Sequence, residues 1–198
     1  MKRIPMIVAP LLAALAACTP ADAVDRVFAT ETGAIRVATV ADGLSHPWAI
    51  DFLPDGRMVV TERPGRLRLV TADGQVSEPI AGLPEIDARG QGGLLDVTVH
   101  PDFAGNRLLY VTYAEPGADG TNSTAAARGR LSADDTRLED VEIVFRQEPK
   151  LRGTKHFGSR LVFDGAGRIF VTTGERSEAR YRTQAQDLDS LLGKIVRL

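Results

Sequence analysis

The three histidines of this sequence are the first candidates for a catalytic side chain. Histidine is the one side chain whose ordinary pKa lets it accept a proton near neutral pH. His156 lies in the segment Lys155–Asp164, directly before an apolar alternation that predicts a strand. It is therefore the candidate general base, at the mouth of a turn where a side chain can meet a ligand. His100 lies in a His-Pro-Asp-Phe turn and His46 in a loop, and both are predicted to be structural.

Gln91 is the second candidate, because it lies in the glycine-rich run Gly90–Gly93. An amide both donates and accepts hydrogen bonds, so this side chain could contact a ligand. The same glycines would also suit a tight turn between strands, so both interpretations stay open. Asp187 and Asp189, near Lys194, are expected to cap turns and to pair at the surface. No metal site is predicted in this portion of the chain.

The elements that must carry these residues are predicted from a repeat with three copies. Residues 48–61, 95–112 and 160–172 each contain alternating apolar residues, a turn with Gly, an arginine, an apolar run and a threonine. Alternation with a period of two is typical of strands, so each copy predicts a β-hairpin. Short strands repeating at intervals of roughly 50 to 60 residues are typical of a β-propeller, whose units must pack on each other. The predicted fold class is therefore all-β.

The chain holds only about three such units, whereas propellers close with about four to eight blades. We therefore expect it to be the N-terminal portion of a longer protein, with a partial propeller over residues 34–198. A smaller β-sandwich is the alternative. Residues 18–33 are polar and rich in alanine, and they are expected to form a linker into a first strand at 35–40. Residues 117–127, rich in Gly, Ser, Thr and Ala, are expected to form a flexible loop.

The bulk composition is that of an ordinary globular domain. Hydrophobic residues make up 43% of the chain and charged residues 25%, and the formal net charge is −2. This balance is sufficient for one domain with a sizeable core. The sequence has no basic stripe interleaved with aromatic residues, so no nucleic-acid partner is predicted.

The N-terminus has the pattern of an export signal. A charged start, Met1–Arg3, precedes an uncharged apolar run over residues 4–17, which is short for a membrane-spanning helix. The run ends in Leu-Ala-Ala-Cys, which resembles the lipobox of bacterial lipoproteins, so residues 1–17 are predicted to be a signal peptide and Cys18 the acylated residue. The alternative is ordinary secretion with cleavage after Ala23. The first interpretation predicts an exported, periplasmic, outer-membrane lipoprotein, which contacts the membrane only through its N-terminal lipid anchor.

Four motifs in a fixed order make the chain resemble a known family. They are Gly-Leu-Ser-His-Pro-Trp-Ala-Ile at 43–50, Gly-Gln-Gly-Gly-Leu-Leu-Asp at 90–96, Lys-His-Phe-Gly-Ser-Arg-Leu at 155–161, and Ala-Gln-Asp-Leu-Asp at 185–189 followed by Gly-Lys-Ile-Val-Arg at 193–197. With these motifs the sequence resembles the soluble quinoprotein glucose/sorbosone dehydrogenases, closest to their aldose sugar dehydrogenase branch.

The resemblance implies a six-bladed β-propeller of the quinoprotein glucose dehydrogenase type, of which this chain contains about the first three blades. It also implies pyrroloquinoline quinone (PQQ) and calcium as cofactors near the propeller axis. The implied substrate is an aldose sugar, whose anomeric hydroxyl is oxidised to a lactone. An external acceptor, which the sequence does not identify, is implied to take the electrons.

Two residues carry the resemblance at the site. His156 matches the family's general base, which is implied to take the hydroxyl proton while hydride moves to PQQ. Gln91 matches a glutamine at the mouth of the cofactor and substrate pocket. Lys155 departs from the pattern, because an acidic or amide residue is expected before the base. The family's calcium ligands, and the cations that hold the carboxylates of PQQ, are expected largely beyond Leu198.

Two alternatives to this function remain at the level of the sequence, because a fold alone does not determine a function. One is a non-catalytic propeller at the cell envelope, which binds a sugar or a partner protein. The other is a propeller sugar lactonase, whose axial metal would need Glu, Asn and Asp side chains at the starts of strands. The sequence contains no convincing set of such residues.

Overall fold

A computed structural model describes residues 24–198 of the chain. The predicted signal peptide, the proposed acylation site Cys18 and the first part of the predicted linker lie outside these residues. The chain divides into one unit that ends at Thr39 and a second that covers Val40–Leu198. Among the described residues, no helix has the length and apolar character needed to cross a membrane.

The first unit is a two-stranded antiparallel hairpin formed by β1 (Asp25–Thr30) and β2 (Gly33–Ala38). The prediction of a linker over 18–33 is therefore wrong for its described part, and the strand expected at 35–40 begins and ends earlier. Apolar residues on both strands favour extended backbone, and the turn closes at Gly33, whose φ of 148° suits glycine. The alanine-rich composition around these residues concealed the alternation.

The second unit contains three antiparallel sheets. Sheet one is formed by β3 (Pro47–Phe52), β4 (Met58–Glu62) and β5 (Arg66–Val70). Sheet two is formed by β6 (Leu94–Val99), β7 (Leu108–Pro116), β8 (Thr121–Leu131), β9 (Leu138–Arg146) and the short β10 (Leu151–Arg152). Sheet three is formed by β11 (Gly158–Phe163), β12 (Ile169–Thr173) and β13 (Ile195–Arg197). Helical structure among the described residues is limited to α1 (Phe103–Asn106), α2 (Ala179–Arg182) and 3₁₀ turns at Ala118–Gly120 and Thr183–Gln186.

The all-β class and the three predicted hairpins are confirmed, as β3–β4, β6–β7 and β11–β12. The flexible loop predicted over 117–127 is wrong, because most of it belongs to β8, a strand paired on both sides within sheet two. Ala125, Ala126 and Ala127 are fully or almost fully buried there. Small residues allow neighbouring layers to pack closely over a strand, although the same composition is also typical of loops.

The core fills the space on both sides of sheet two. Val59 and Leu67 from sheet one pack with Leu94 and Val111 from sheet two. On the other side of sheet two, buried residues that include Tyr110 pack against sheet three. The first strands of the three sheets, β3, β6 and β11, are neighbours in this order. Consecutive sheets that pack face to face agree with the predicted repeat, while the count of six blades and the closure of a ring remain predictions.

The threonine that ends each copy of the repeat fixes the position of the strands around it. Thr61 Oγ1 donates to the carbonyl of Leu95 at 2.6 Å, and Thr112 Oγ1 donates to the carbonyl of Ser159 at 2.7 Å, so these two hydroxyls connect consecutive sheets. In all three copies the threonine hydroxyl also accepts an amide N–H from the first strand of its own hairpin. The donor and acceptor pairs are Ala49 to Thr61, Asp96 to Thr112 and Arg160 to Thr172. These bonds fix where each first strand begins, and therefore where the loop before it lies.

Candidate active site

His156 lies on the loop between β10 and β11, in an uncommon backbone conformation. Its φ is 49°, and Ser159, three residues later, has a φ of 86°. Positive φ values are rare outside glycine, so this loop stores strain that neighbouring contacts must offset. Strained backbone of this kind is concentrated at functional sites.

The structure brings His156 and Gln91 together, although 65 residues separate them in sequence. The backbone N–H of His156 donates to Gln91 Oε1 at 2.9 Å, and the backbone N–H of Gln91 donates to the carbonyl of Thr154 at 2.8 Å. The loop of the candidate base and the glycine-rich run therefore hold each other in place. The side-chain amide nitrogen of Gln91 has no hydrogen-bond partner within residues 24–198, so it can donate to a ligand. The roles of the two residues stay predictions.

Glycines allow the close approach of these loops. A Cβ on Gly90 would collide with Thr154, and a Cβ on Gly93 would collide with the carbonyl of Arg63. Gly174 lies after β12, and a Cβ there would collide with the carbonyl of His156. The glycines at these positions therefore allow the loops to pack closely around the site.

Glu175 is the partner of the candidate base, and the sequence analysis missed it. Glu175 Oε1 lies 2.6 Å from His156 Nδ1 and also accepts the backbone N–H of Ser177 at 3.2 Å. Burial raises the pKa of Glu175, but the hydrogen bonds from His156 and from backbone N–H groups outweigh it and leave the pKa below its ordinary value. The group is therefore a carboxylate at neutral pH and favours a proton on Nδ1.

This arrangement leaves the other ring nitrogen of His156 available. His156 Nε2 has no hydrogen-bond partner in the part of the chain that the structure describes, and the side chain is 45% exposed. With the proton held on Nδ1, Nε2 carries a lone pair that can accept a proton from a bound molecule. The geometry is that of a general base oriented by a carboxylate.

The register of the β11–β12 hairpin beside the site explains why the sequence analysis missed Glu175. Gly158 of β11 pairs with Thr173 of β12. Two positions beyond this pair, before β11 and after β12, are His156 and Glu175, which the register therefore brings opposite each other. In the apolar core of the hairpin Leu161 pairs with Val171, and this register extended outward would place Arg176 opposite His156, so the shift between Leu161 and Gly158 is what brings Glu175 there.

A cavity of about 410 Å³ opens beside His156. Its walls come from β3, from the segment after β4, from the glycine-rich run before β6, and from the loop before β11. The lining residues are Trp48, Arg63, Gly90, Gln91, Leu95, His156, Phe157 and Gly158. The cavity therefore lies where the first strands of the three sheets begin, and both predicted site residues line it.

Arg63 supplies a positive charge to the wall of this cavity. Its Nη1 donates to the carbonyls of Ala88, Gly90 and Gly92 at 3.2, 2.8 and 2.9 Å. Its side chain has no carboxylate within 4.0 Å among residues 24–198. An arginine in this position can hold the glycine-rich run and still attract a carboxylate of a ligand.

The other two histidines lie in a turn and in a loop, as the sequence indicates. His100 Nδ1 accepts the backbone N–H of Asp102 at 3.0 Å, and its ring packs against Tyr110 and Phe163. His46 is exposed, and its Nδ1 lies 3.2 Å from the hydroxyl of Ser45. Among residues 24–198, no three His, Cys, Asp or Glu side chains are grouped to hold a metal ion.

Comparisons with a family model and with known proteins point to the same family. The family model described as Glucose / Sorbosone dehydrogenase matches residues 44–198. Aldose sugar dehydrogenase YliI of Escherichia coli (strain K12) is 49% identical over 165 residues, which are 83% of this chain and 44% of that protein. Quinoprotein glucose dehydrogenase B of Acinetobacter calcoaceticus is 26% identical over 183 residues, which are 80% of this chain and 38% of that protein. The chain spans less than half the length of these relatives.

Solved structures agree with this result. The apo-form of the soluble aldose sugar dehydrogenase from Escherichia coli has a TM-score of 0.75 and 50% identity, over 80% of this chain and 45% of that chain. The PQQ-bound form of aldose sugar dehydrogenase from Streptomyces coelicolor has a TM-score of 0.70 and 28% identity, over 90% of this chain and 49% of that chain.

Proposed function

Because the chain belongs to the glucose/sorbosone dehydrogenase family, we propose that it carries the general base of a PQQ-dependent aldose dehydrogenase. The proposed reaction oxidises the anomeric hydroxyl of an aldose to a lactone and passes the electrons to an external acceptor. The observation that supports it most is the contact between His156 Nδ1 and Glu175 at 2.6 Å, beside a cavity that Gln91 also lines. This arrangement leaves Nε2 of the histidine ready to accept a proton.

The residues around the cavity are compatible with PQQ, a quinone that carries carboxylates. Arg63 offers a cation, the amide of Gln91 offers a donor, and Trp48 offers a flat aromatic side chain. One arginine does not balance several carboxylates, so further cations belong to the proposal. Calcium remains an expectation from the family resemblance. PQQ, when bound, supplies the two-electron acceptor of the reaction.

The protein's own residues act on the proton of the sugar hydroxyl. His156 Nε2 takes this proton as the hydroxyl carbon is oxidised, and the imidazole becomes an imidazolium. Glu175 stabilises that positive charge because its carboxylate accepts the hydrogen bond from Nδ1. Gln91 orients the sugar hydroxyl or the quinone oxygen with its side-chain amide.

We expect the full-length protein, supplied with PQQ and calcium, to reduce an artificial dye when an aldose is added. The rate of dye reduction should depend on the aldose and on PQQ, because each supplies one half of the redox reaction. Absence of dye reduction by PQQ-saturated protein across several aldoses would contradict the proposed function. Sugar binding without dye reduction, measured by calorimetry, would favour the non-catalytic alternative.

We also propose that the protein is exported and anchored in the outer membrane through a lipid on Cys18. The support is the apolar run before Leu-Ala-Ala-Cys at residues 15–18. The wild-type protein should take up labelled fatty acid in cells and Cys18→Ala should not, because Cys18 is the only cysteine of the sequence. A wild-type protein without covalent lipid would contradict this proposal.

A further inference from the structure

Arg176 is the largest fully buried side chain among the described residues, and its side chain serves the loop of the candidate base. Only 1% of its surface is exposed, and no carboxylate of residues 24–198 lies within 4.0 Å of it. We propose that Arg176 is a positioning residue, which fixes the direction of the His156 ring by bonding to the backbone before it and packing on the side chain of the residue after it. The proposal rests on the proposed function, in which His156 is the base.

The guanidinium of Arg176 uses all of its nitrogens on neighbouring oxygen atoms. Nε donates to the carbonyl of Lys155 at 3.0 Å, and Nη2 donates to the carbonyl of Gly153 at 2.9 Å. Nη1 donates to the carbonyl of Asn122 at 2.9 Å, and Nη2 also donates to the side-chain oxygen of that residue. Two of these acceptors belong to the loop immediately before His156, and the others belong to the rigid strand β8.

The same guanidinium contacts the residue after the base. It lies over the ring of Phe157, 4.2 Å from the ring centroid, and Phe157 is itself only 3% exposed. A cation over an aromatic face in a desolvated site is a favourable contact that also restricts how the ring can move. Arg176 therefore contacts the chain at the carbonyl of Lys155 and at the ring of Phe157, and His156 is the one residue between these two contacts.

Burying the guanidinium of Arg176 costs free energy, which indicates that this residue does more than fill space. Burial of an arginine without a paired carboxylate is unfavourable, and an apolar side chain would fill the space at a lower cost. Backbone strain adds to the cost, because the φ of Arg176 is 70° and that of Ser177 is 62°. Glu175 and Arg176 are adjacent on this strained turn, so one residue holds the ring of the base and the next holds its backbone.

A second network orients the acceptor on β8. Asn122 Nδ2 donates to Asp87 Oδ2 at 2.7 Å, which leaves the side-chain oxygen of Asn122 directed at Arg176. The pKa of Asp87 is lowered to about 2, chiefly by its hydrogen bond with Arg89. Asp87 therefore stays ionised at neutral pH, and Asn122 connects its negative charge to Arg176.

The test compares Arg176→Met with Arg176→Lys in the full-length protein with PQQ. Methionine removes the charge and all donors, so kcat should fall by roughly 10-fold to 100-fold, the size of effect expected when a catalytic group moves by about 1 Å. KM and the affinity for PQQ should change by less than about 3-fold, and lysine should restore part of kcat. Arg180→Met, at an exposed arginine four residues later, is the matched control and should leave kcat unchanged.

Hydrogen exchange of the protein without cofactor gives a second measurement. In Arg176→Met, exchange should quicken at the backbone amides of residues 154–157 while the amides of β12 stay protected. An unchanged kcat with unchanged exchange would overturn the proposal, as would a loss of kcat matched by equal losses of PQQ affinity and thermal stability in both variants. A wild-type protein that does not oxidise aldoses would refute the proposed function, whereas exchange would still report whether Arg176 holds the loop.

Discussion

Replacing His156 with asparagine should lower turnover of an aldose by roughly 10²-fold to 10⁴-fold, the usual contribution of a general base. Asparagine has no basic nitrogen, so the sugar hydroxyl would have to lose its proton to water. It is also among the best non-glycine choices for a left-handed backbone, and His156 has a φ of 49°. The loop should therefore keep its conformation, and PQQ should still bind. Dye-coupled kinetics and a PQQ titration measure the two effects separately.

The control for this variant is His46→Asn. His46 is exposed and also has a positive φ, of 52°, so the same substitution tests the same backbone effect at a residue that does not line the cavity. Turnover of the control should match that of the wild-type protein. His156→Asn with wild-type turnover would remove His156 from its proposed role. A parallel loss of PQQ binding would assign His156 to cofactor binding instead.

The sequence was sufficient for the parts of the site that depend on local pattern. Period-two alternation predicted the three hairpins, and the context of His156 and Gln91 identified the two residues that the structure brings to one cavity. Both predictions rest on patterns formed by residues that are close together in the sequence. The repeat also contained threonines, and the structure gives them a reason, because Thr61 and Thr112 connect consecutive sheets.

The residues that the sequence did not identify depend on contacts between distant segments. Glu175 reaches His156 only through the register of the β11–β12 hairpin, and Arg176 is tied to the strand β8 as well as to the loop. The same strand was predicted to be a flexible loop, so its role as a rigid support was hidden as well. Composition does not distinguish a strand of small buried residues from a loop, since only the packing partners do.

Replacing Glu175 with glutamine should lower turnover by roughly 10²-fold to 10³-fold, with little change in PQQ affinity, because orientation of the base and stabilisation of its charge are both lost. The amide of glutamine can donate to Nδ1 of His156, which would move the ring proton to Nε2 and block the nitrogen that must accept the sugar proton. The amide also carries no charge to stabilise the imidazolium. A loss confined to kcat is the expected kinetic pattern, because the interaction strengthens as the reaction proceeds. Glu178→Gln, at an exposed glutamate three residues later, is the matched control.

The pH dependence of stability gives an independent check on Glu175. Its pKa is below the ordinary value in the folded protein, so the folded state binds fewer protons at this group than the unfolded state does. The stabilisation from Glu175 is therefore fully present above the ordinary glutamate pKa of about 4.3 and is lost as the pH falls through the lowered pKa. The melting temperatures of wild-type protein and Glu175→Gln should differ at neutral pH and converge in acid. A difference that stayed the same well below the ordinary glutamate pKa would contradict this account, because the stabilisation would then not depend on the charge of Glu175.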